Sequence, residues 1–273
     1  MDRRNGCVKH PRLVERRKHY RDHLLSSESV WDWINDRRRS RLQAVRLPGR
    51  GEESILTTLS EASSKELLRR HGVPFAEERI TSSPEEAIAA AESIGFPCVA
   101  KLNGDRIAHK TERGLVRLNL QTPEAVGAAA RDLFSAATPE DGEVSVLVAP
   151  MLSGSRELIA GFLTDEQFGK VVMIGLGGVL AEAIGDVAFR LLPLGAGDAE
   201  SMIDELKTQA LFEEFRGEPA INKESVVNVL NALSKVAQEE SNVLSVDLNP
   251  LIIVNGEPIA VDALVELTEG ASR

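Results

Sequence analysis

Residues 246–265 read VDLNPLIIVNGEPIAVDALV, with Asn255-Gly256 between two apolar alternating runs. That dipeptide in that setting is the strongest short-range signal for a two-residue β-hairpin. If Asn255 and Gly256 take the central turn positions, Val254 faces Glu257 and paired residue numbers sum to 511. Continuing the ladder sets Asn249 opposite Asp262 and Asp247 opposite Leu264. Directly opposed Cβ atoms lie about 4.5–5.5 Å apart, so an amide oxygen and a carboxylate converge, with a second carboxylate two residues along on the same face. Hard oxygen donors of this kind suit magnesium, which takes one or two protein carboxylates, keeps waters and binds substrate phosphates. Pro250 cannot donate to the ladder, and a one-residue slip would separate the pair. A polar hairpin tip with an incidental Asp and Asn is the competing reading.

Working outward, capped helices and strands alternate upstream. SEASSKELLRRHGVPF reads as a short helix ended by Gly72, with Pro74 forcing an extended exit. In SSPEEAIAAAESIGFP, Ser83 is placed to cap, Pro84 to open and Gly95 to close a helix. TPEAVGAAARDLFSAA repeats the formula, and GDAESMIDELK and NKESVVNVLNALSKVAQEE read as two further helices. Strands are expected around Cys98–Leu102, in LVRLNL, EVSVLVAPM and RELIAGFL, and as short runs over 171–194. The plan is α/β or α+β with at least partly antiparallel sheets.

The chain of 273 residues can bury one large core or two small ones. Two distant cysteines give neither a disulfide framework nor a zinc spacing, which fits a reducing cytoplasm. No apolar run approaches the roughly 18 residues of a membrane span, and no secretory signal opens the chain. Aromatic residues make up only 4%, against a base-stacking platform. Residues 1–50 hold 14 Lys+Arg and 6 Asp+Glu, leaving 18 and 36 for residues 51–273. The basic segment reads as a solvated extension, an arm for an anionic partner, or a translation start placed too far upstream. The acidic remainder argues against general nucleic-acid binding.

Three further stretches carry candidate chemistry. CVAKLNGDRIAHKTERGLV puts Lys101, His109 and Lys110 around a loop between strands, either as solvated cations or as a phosphate grip. MIGLGGVLAE places Gly175, Gly177 and Gly178 after a strand, where backbone N–H groups can approach an anion. It matches neither a Walker loop nor G-x-G-x-x-G. Arg190 lies within the apolar DVAFRLLPL, either paired with a carboxylate or forked on a phosphate. Glu157 in SGSRELIAGF reads as an exposed strand residue or a site residue.

Taken together, GFPCVAKLNGDRIAHKTERGLVRLNL, MLSGSRELIAGFLTDEQFGKVVMIGLGGVLAEAIGDVAFRLLPL and VDLNPLIIVNGEPIAVDALV resemble the ATP-grasp domains of NDP-forming acyl-CoA synthetases. Among these are the β subunits of ADP-forming acetate–CoA ligases. The resemblance spans about residues 55–267 and leaves the first fifty outside. It implies an ATP-grasp fold over 51–273, with about 75–148 as a smaller nucleotide-covering subdomain and nucleotide held between the two. It further implies that Lys101 contacts nucleotide, that Ala149, Pro150 and Met151 form an adenine-facing hinge with Glu157 nearby, and that Gly177 and Gly178 belong to the glycine loop. Arg190 matches a phosphate-facing arginine, Asn249 and Asp262 the magnesium positions, and Asp247 an acidic residue that steadies phosphohistidine. His109 and Lys110 match a His-Lys pair in which the histidine relays phosphate, splitting one hard transfer into two easier ones.

The sequence departs from the family at Gly104-Asp105-Arg106, where Ser-Pro-Asp is usual, at Glu112 for Asp and at Leu115 for Gly. Those changes bear on the histidine loop more than on nucleotide binding. The CoA-binding domain and the domain with the principal phosphohistidine would need far more residues. The resemblance therefore implies an α subunit, in a heterotetramer-like pairing, that performs the CoA thioester chemistry while ATP/ADP and Mg2+ act here. A succinyl-CoA synthetase β-like subunit, another ATP-grasp carboxylate ligase and a non-catalytic ATP-sensing module are the alternatives.

Overall fold

The computed structural model describes residues 45–46, 53–54, 56–104, 106–107, 113–165, 167–178 and 184–268. Contacts divide the chain at Ser40/Arg41, and every described residue lies in the second unit. A short antiparallel ribbon, β1 (Val45–Arg46) with β2 (Glu53–Ser54), precedes two larger sheets.

The smaller sheet has four antiparallel strands in the order β4 (Arg79–Thr81), β7 (Ser145–Pro150), β5 (Cys98–Asn103) and β6 (Val116–Leu120). Two helices, α2 (Pro84–Ile94) and α3 (Pro123–Ser135), cover one face. Both start as their sequences predict: Ser83 and Thr122 accept from Glu86 N and Ala125 N, with Pro at the first turn of each. Gly95 ends α2 with φ +99°, a conformation that favours glycine. Small residues on the inner faces, Ala87, Ala91 and Ala130, bring the helices close to Cys98, Ala100 and Leu102 of the sheet.

The larger sheet runs β10 (Val187–Leu191), β9 (Gly169–Leu176), β8 (Glu157–Asp165), β11 (Val243–Val254), β13 (Leu264–Thr268), β3 (Leu56–Thr58). β12 (Glu257–Ala260) also pairs with β11. Neighbours are antiparallel throughout. Helices α1 (Glu61–Arg70), α4 (Asp198–Glu205) and α5 (Lys223–Glu239) contribute to its core. In α5, Val226, Val229, Leu230, Leu233 and Val236 recur at helical spacing and are all buried. Their partners include Ala160, Phe162, Val172, Ile174, Val246 and Leu248. Truncating Leu230 to alanine would cost about 2–5 kcal/mol through lost burial and the cavity left behind.

The two cores share no residue, so the architecture is two lobes, each a sheet with its own helical layer. Among the described residues no helix is long and apolar enough to cross a membrane.

Candidate functional site

Alternation along β5 sets the small-lobe wall. Cys98, Ala100 and Leu102 enter the small core, which leaves Val99, Lys101 and Asn103 on the opposite face. Lys101 is only 7% exposed. Its Nζ donates to Glu61 Oε1 at 2.7 Å and to the Val261 carbonyl at 3.2 Å. Burial alone would push its pKa down, but the charges of Asp262, Glu61 and Glu78 outweigh it and hold the ammonium above its ordinary value. One side chain of the small sheet thus rests against the β12–β13 connection of the large one.

On the large lobe, the register expected from the Asn255-Gly256 turn is found. Val254 pairs with Glu257 and Leu251 with Ala260, and beyond a break Asp247 pairs with Leu264 and Val246 with Val265. All these pairs sum to 511. Val261 N donates to the Pro250 carbonyl at 3.1 Å, so the same step persists through the break. Asn249 and Asp262 therefore occupy opposed backbone positions. What the hairpin pattern did not foresee is that its second strand splits into β12 and β13, and that β11 shifts register against β8 between Leu248 and Leu251. Val246 and Leu248 point into the core, which puts Asp247 and Asn249 on the other face. Both are half-buried, as is Asp262. An Asn oxygen and a carboxylate are chemically suited to magnesium. Among the described residues no group of three or more His, Cys, Asp or Glu could hold a metal, so an ion here would complete its shell with water and phosphate oxygens.

The chain enters the small lobe through residues 71–78 and returns to the large lobe through residues 151–156. β7 brings Ala149 opposite Val99 and Pro150 opposite Cys98, and Met151 N donates to the Pro97 carbonyl at 3.0 Å. A Cβ on Gly154 would stand 2.3 Å from the Ile253 carbonyl oxygen, so only glycine lets the link lie against β11. Arg156 then anchors it. The guanidinium donates to the carbonyls of Leu211, Glu213 and Pro219 and to Glu218, whose other oxygen accepts from Ser155 N. Glu157 follows, and its carbonyl accepts from Gly177 N at 2.8 Å. Gly178 has φ +81°, and a Cβ there would lie 3.6 Å from Glu157 Oε2. Glutamate and glycine turn are thus in contact, and residues 152–156 join them to the hinge.

Arg190 is not brought to these residues, which corrects its assignment as a phosphate-facing residue. It pairs with Val172, a core residue, and its side chain enters the helix-covered face of the sheet. There its two terminal nitrogens reach Glu205 Oε1 at 2.6 Å and Oε2 at 2.9 Å, Ser201 Oγ at 2.8 Å and the Phe189 carbonyl at 2.7 Å. Carboxylate pairing, the alternative reading of the sequence, is what it does, though from a buried position. His109 and Lys110 lie outside the described residues. Glu61 and Arg156 went unrecognised; the only sequence signal for Glu61 is its i,i+4 spacing to Lys65, a pair that in the structure closes to 2.8 Å.

Two antiparallel lobes, a tightly held return link, an interlobe lysine and an Asn/carboxylate pair across a strand break define a nucleotide-binding domain of the two-lobed class. The chain belongs to the ATP-grasp domain family, whose model matches residues 52–267. Acetate–CoA ligase [ADP-forming] II subunit beta of Pyrococcus furiosus is 36% identical over 217 residues, covering 77% of this chain and 92% of that protein. Acetate–CoA ligase [ADP-forming] II of Archaeoglobus fulgidus is 37% identical over 211 residues, covering 77% of this chain but 30% of a longer protein. Among solved structures, the dinucleotide-forming acetyl-coenzyme A synthetase 1 of Ca. Korarchaeum cryptofilum superposes with TM-score 0.66 at 36% identity, over 77% of this chain and 93% of that one. That structure holds coenzyme A and Mg-AMPPCP, with a phosphohistidine segment pointing towards the nucleotide binding site.

Proposed function

We propose that this chain is the nucleotide-binding β subunit of an ADP-forming acyl-CoA ligase of the acetate–CoA ligase type. The reversible overall reaction joins acyl-CoA, ADP and phosphate to give carboxylic acid, CoA and ATP. The observation that carries the reading is the buried Lys101 ammonium, set between lobes beside Asp262. On this reading it is the cation that meets the phosphates of a nucleotide clasped by the two lobes. Ala149–Met151 are assigned to the adenine, and Glu157 with Gly177 and Gly178 to the nucleotide edge of the hinge. Asn249 and Asp262 are the residues that would hold Mg2+, which when bound neutralises charge on the phosphates. Asp247 shares their face and is assigned to steady a phosphohistidine.

His109 and Lys110 are assigned to phosphate relay on the strength of the family pattern. Phosphoryl transfer needs little covalent work from the protein and depends on positioning and on balancing negative charge. The lysines supply that balance within this chain, and Arg190 acts in the fold. The partner is an α subunit carrying the CoA-binding and phosphohistidine domains. Support comes from the β-subunit relative, which this chain nearly spans, and from the longer relative, of which it covers under a third. A cytoplasmic location is the reading that nucleotide and thioester substrates of this kind support.

The test is calorimetric binding of ADP with and without Mg2+, followed by acyl-CoA-dependent ATP formation on adding an α subunit. Mg2+-dependent binding that Lys101→Met weakens at least about tenfold (roughly 1.4 kcal/mol) supports the assignment. A well-folded chain that binds no adenine nucleotide overturns it.

A further inference from the structure

Glu61 lies outside every motif that carries the family resemblance, yet it touches the residue on which the proposed function rests. It stands in the first turn of α1 with its side chain only 2% exposed. An isolated carboxylate buried to this degree would be costly. Its Oε1 lies 2.7 Å from Lys101 Nζ and 2.8 Å from Lys65 Nζ, and Lys65 in turn lies 2.8 Å from Glu78 Oε2. Lys65 divides the pull of Glu61 between two ammonium groups, so Lys101 keeps attraction for a further anion.

The helix that carries Glu61 is pinned to both lobes. Ala62 N donates to Asn103 Oδ1 at 3.2 Å in the small lobe, and Ser64 Oγ accepts from Val265 N at 3.2 Å in the large one. A lysine stem is otherwise free to sample many rotamers. An ammonium has three N–H donors. Here two are taken, by Glu61 Oε1 and the Val261 carbonyl, and among the described residues the third has no acceptor. We propose that Glu61 is a positioning residue for nucleotide binding: it fixes the Lys101 ammonium between the lobes with one N–H reserved for a phosphate oxygen. The proposal rests on the reading of Lys101 as a phosphate ligand.

The test compares ADP with adenosine, a probe with no phosphate, by calorimetry on the full chain and its Glu61→Gln, Glu61→Asp and Lys101→Met variants. Glu61→Gln keeps the shape but loses the charge. It should weaken ADP by about tenfold or more while leaving adenosine within about twofold. Glu61→Asp should recover part of the loss, and adding Glu61→Gln to Lys101→Met should weaken ADP no further. Equal loss of ADP and adenosine in Glu61→Gln makes the role architectural and overturns the proposal. Unchanged ADP affinity in Glu61→Gln, with Lys101→Met impaired, overturns it while sparing the Lys101 assignment. Unchanged ADP affinity in Lys101→Met overturns both. Should Glu61→Gln fail to fold, Glu61→Asp is judged by the same phosphate-selective criterion.

Discussion

Replacing Arg190 with methionine separates a role in catalysis from a role in the fold. The guanidinium gives four hydrogen bonds, two of them to Glu205, and its Nε is buried without an acceptor. Breaking a fully buried ion pair costs about 3–5 kcal/mol. Two features reduce that figure. The Arg190 side chain is 10% exposed but Glu205 is 44% exposed, so the abandoned carboxylate returns largely to water. Methionine also removes the unpaired Nε and keeps much of the stem's packing. A net loss of roughly 2 kcal/mol remains, or about 4–8 °C in Tm for a domain of this size. The assays are differential scanning calorimetry and, on the same protein, ADP binding and turnover with an α subunit. The guanidinium lies on the helix side of the sheet, so affinity and kcat should stay within about twofold. A tenfold fall in kcat with an unshifted Tm would refute this placement.

Asp262→Asn should lower ADP affinity about tenfold in Mg2+ (roughly 1.4 kcal/mol) and leave Mg2+-free binding little changed; an intact Mg2+ effect in calorimetry would remove Asp262 from the metal's shell. Gly154→Ala would push a Cβ to within 2.3 Å of the Ile253 carbonyl oxygen, so thermal unfolding should show a loss of about 1–3 kcal/mol from overpacking. Asp141 is held below its ordinary pKa first by the Arg113 fork, against the opposing effect of burial, and then by bonds from Thr138. A carboxyl depressed in the folded state adds stability above its unfolded pKa of about 3.9 and loses it as pH falls towards the folded value. Asp141→Asn should therefore be less stable than the parent at pH 7 in urea titrations, with the gap beginning to close below about pH 4.

Local chemistry made much of the fold legible before any coordinates. Ser83, Pro84 and Gly95 bracket α2, Thr122 and Pro123 open α3, and Asn255-Gly256 sets a register that extends past Pro250 to β13. Each signal acts within a few residues of the structure it determines. The interlobe contacts have no such carrier. Glu61 meets Lys101 across forty residues of sequence, and Arg156 reaches carbonyls more than fifty residues downstream. Arg190 was misread for a different reason. Val187, Ala188, Phe189 and Arg190 are all buried, so alternation in hydrophobicity, which normally tells the two faces of a strand apart, is missing there. Family likeness supplied a role, and only the partner strand's register showed which way the side chain turns.

The order in which the sheets can close during translation follows from their connectivity. The four-stranded sheet uses one unbroken run, from Arg79 to Pro150, so its hydrogen bonds are all available once that stretch has left the ribosome. The other sheet cannot finish so early, because β3, made near the start, must wait for β13, with Thr58 opposite Glu266. Closing so long a loop is entropically slow. The smaller lobe is thus synthesised as an early-folding unit between two halves of a partner that assembles only when the last strand arrives.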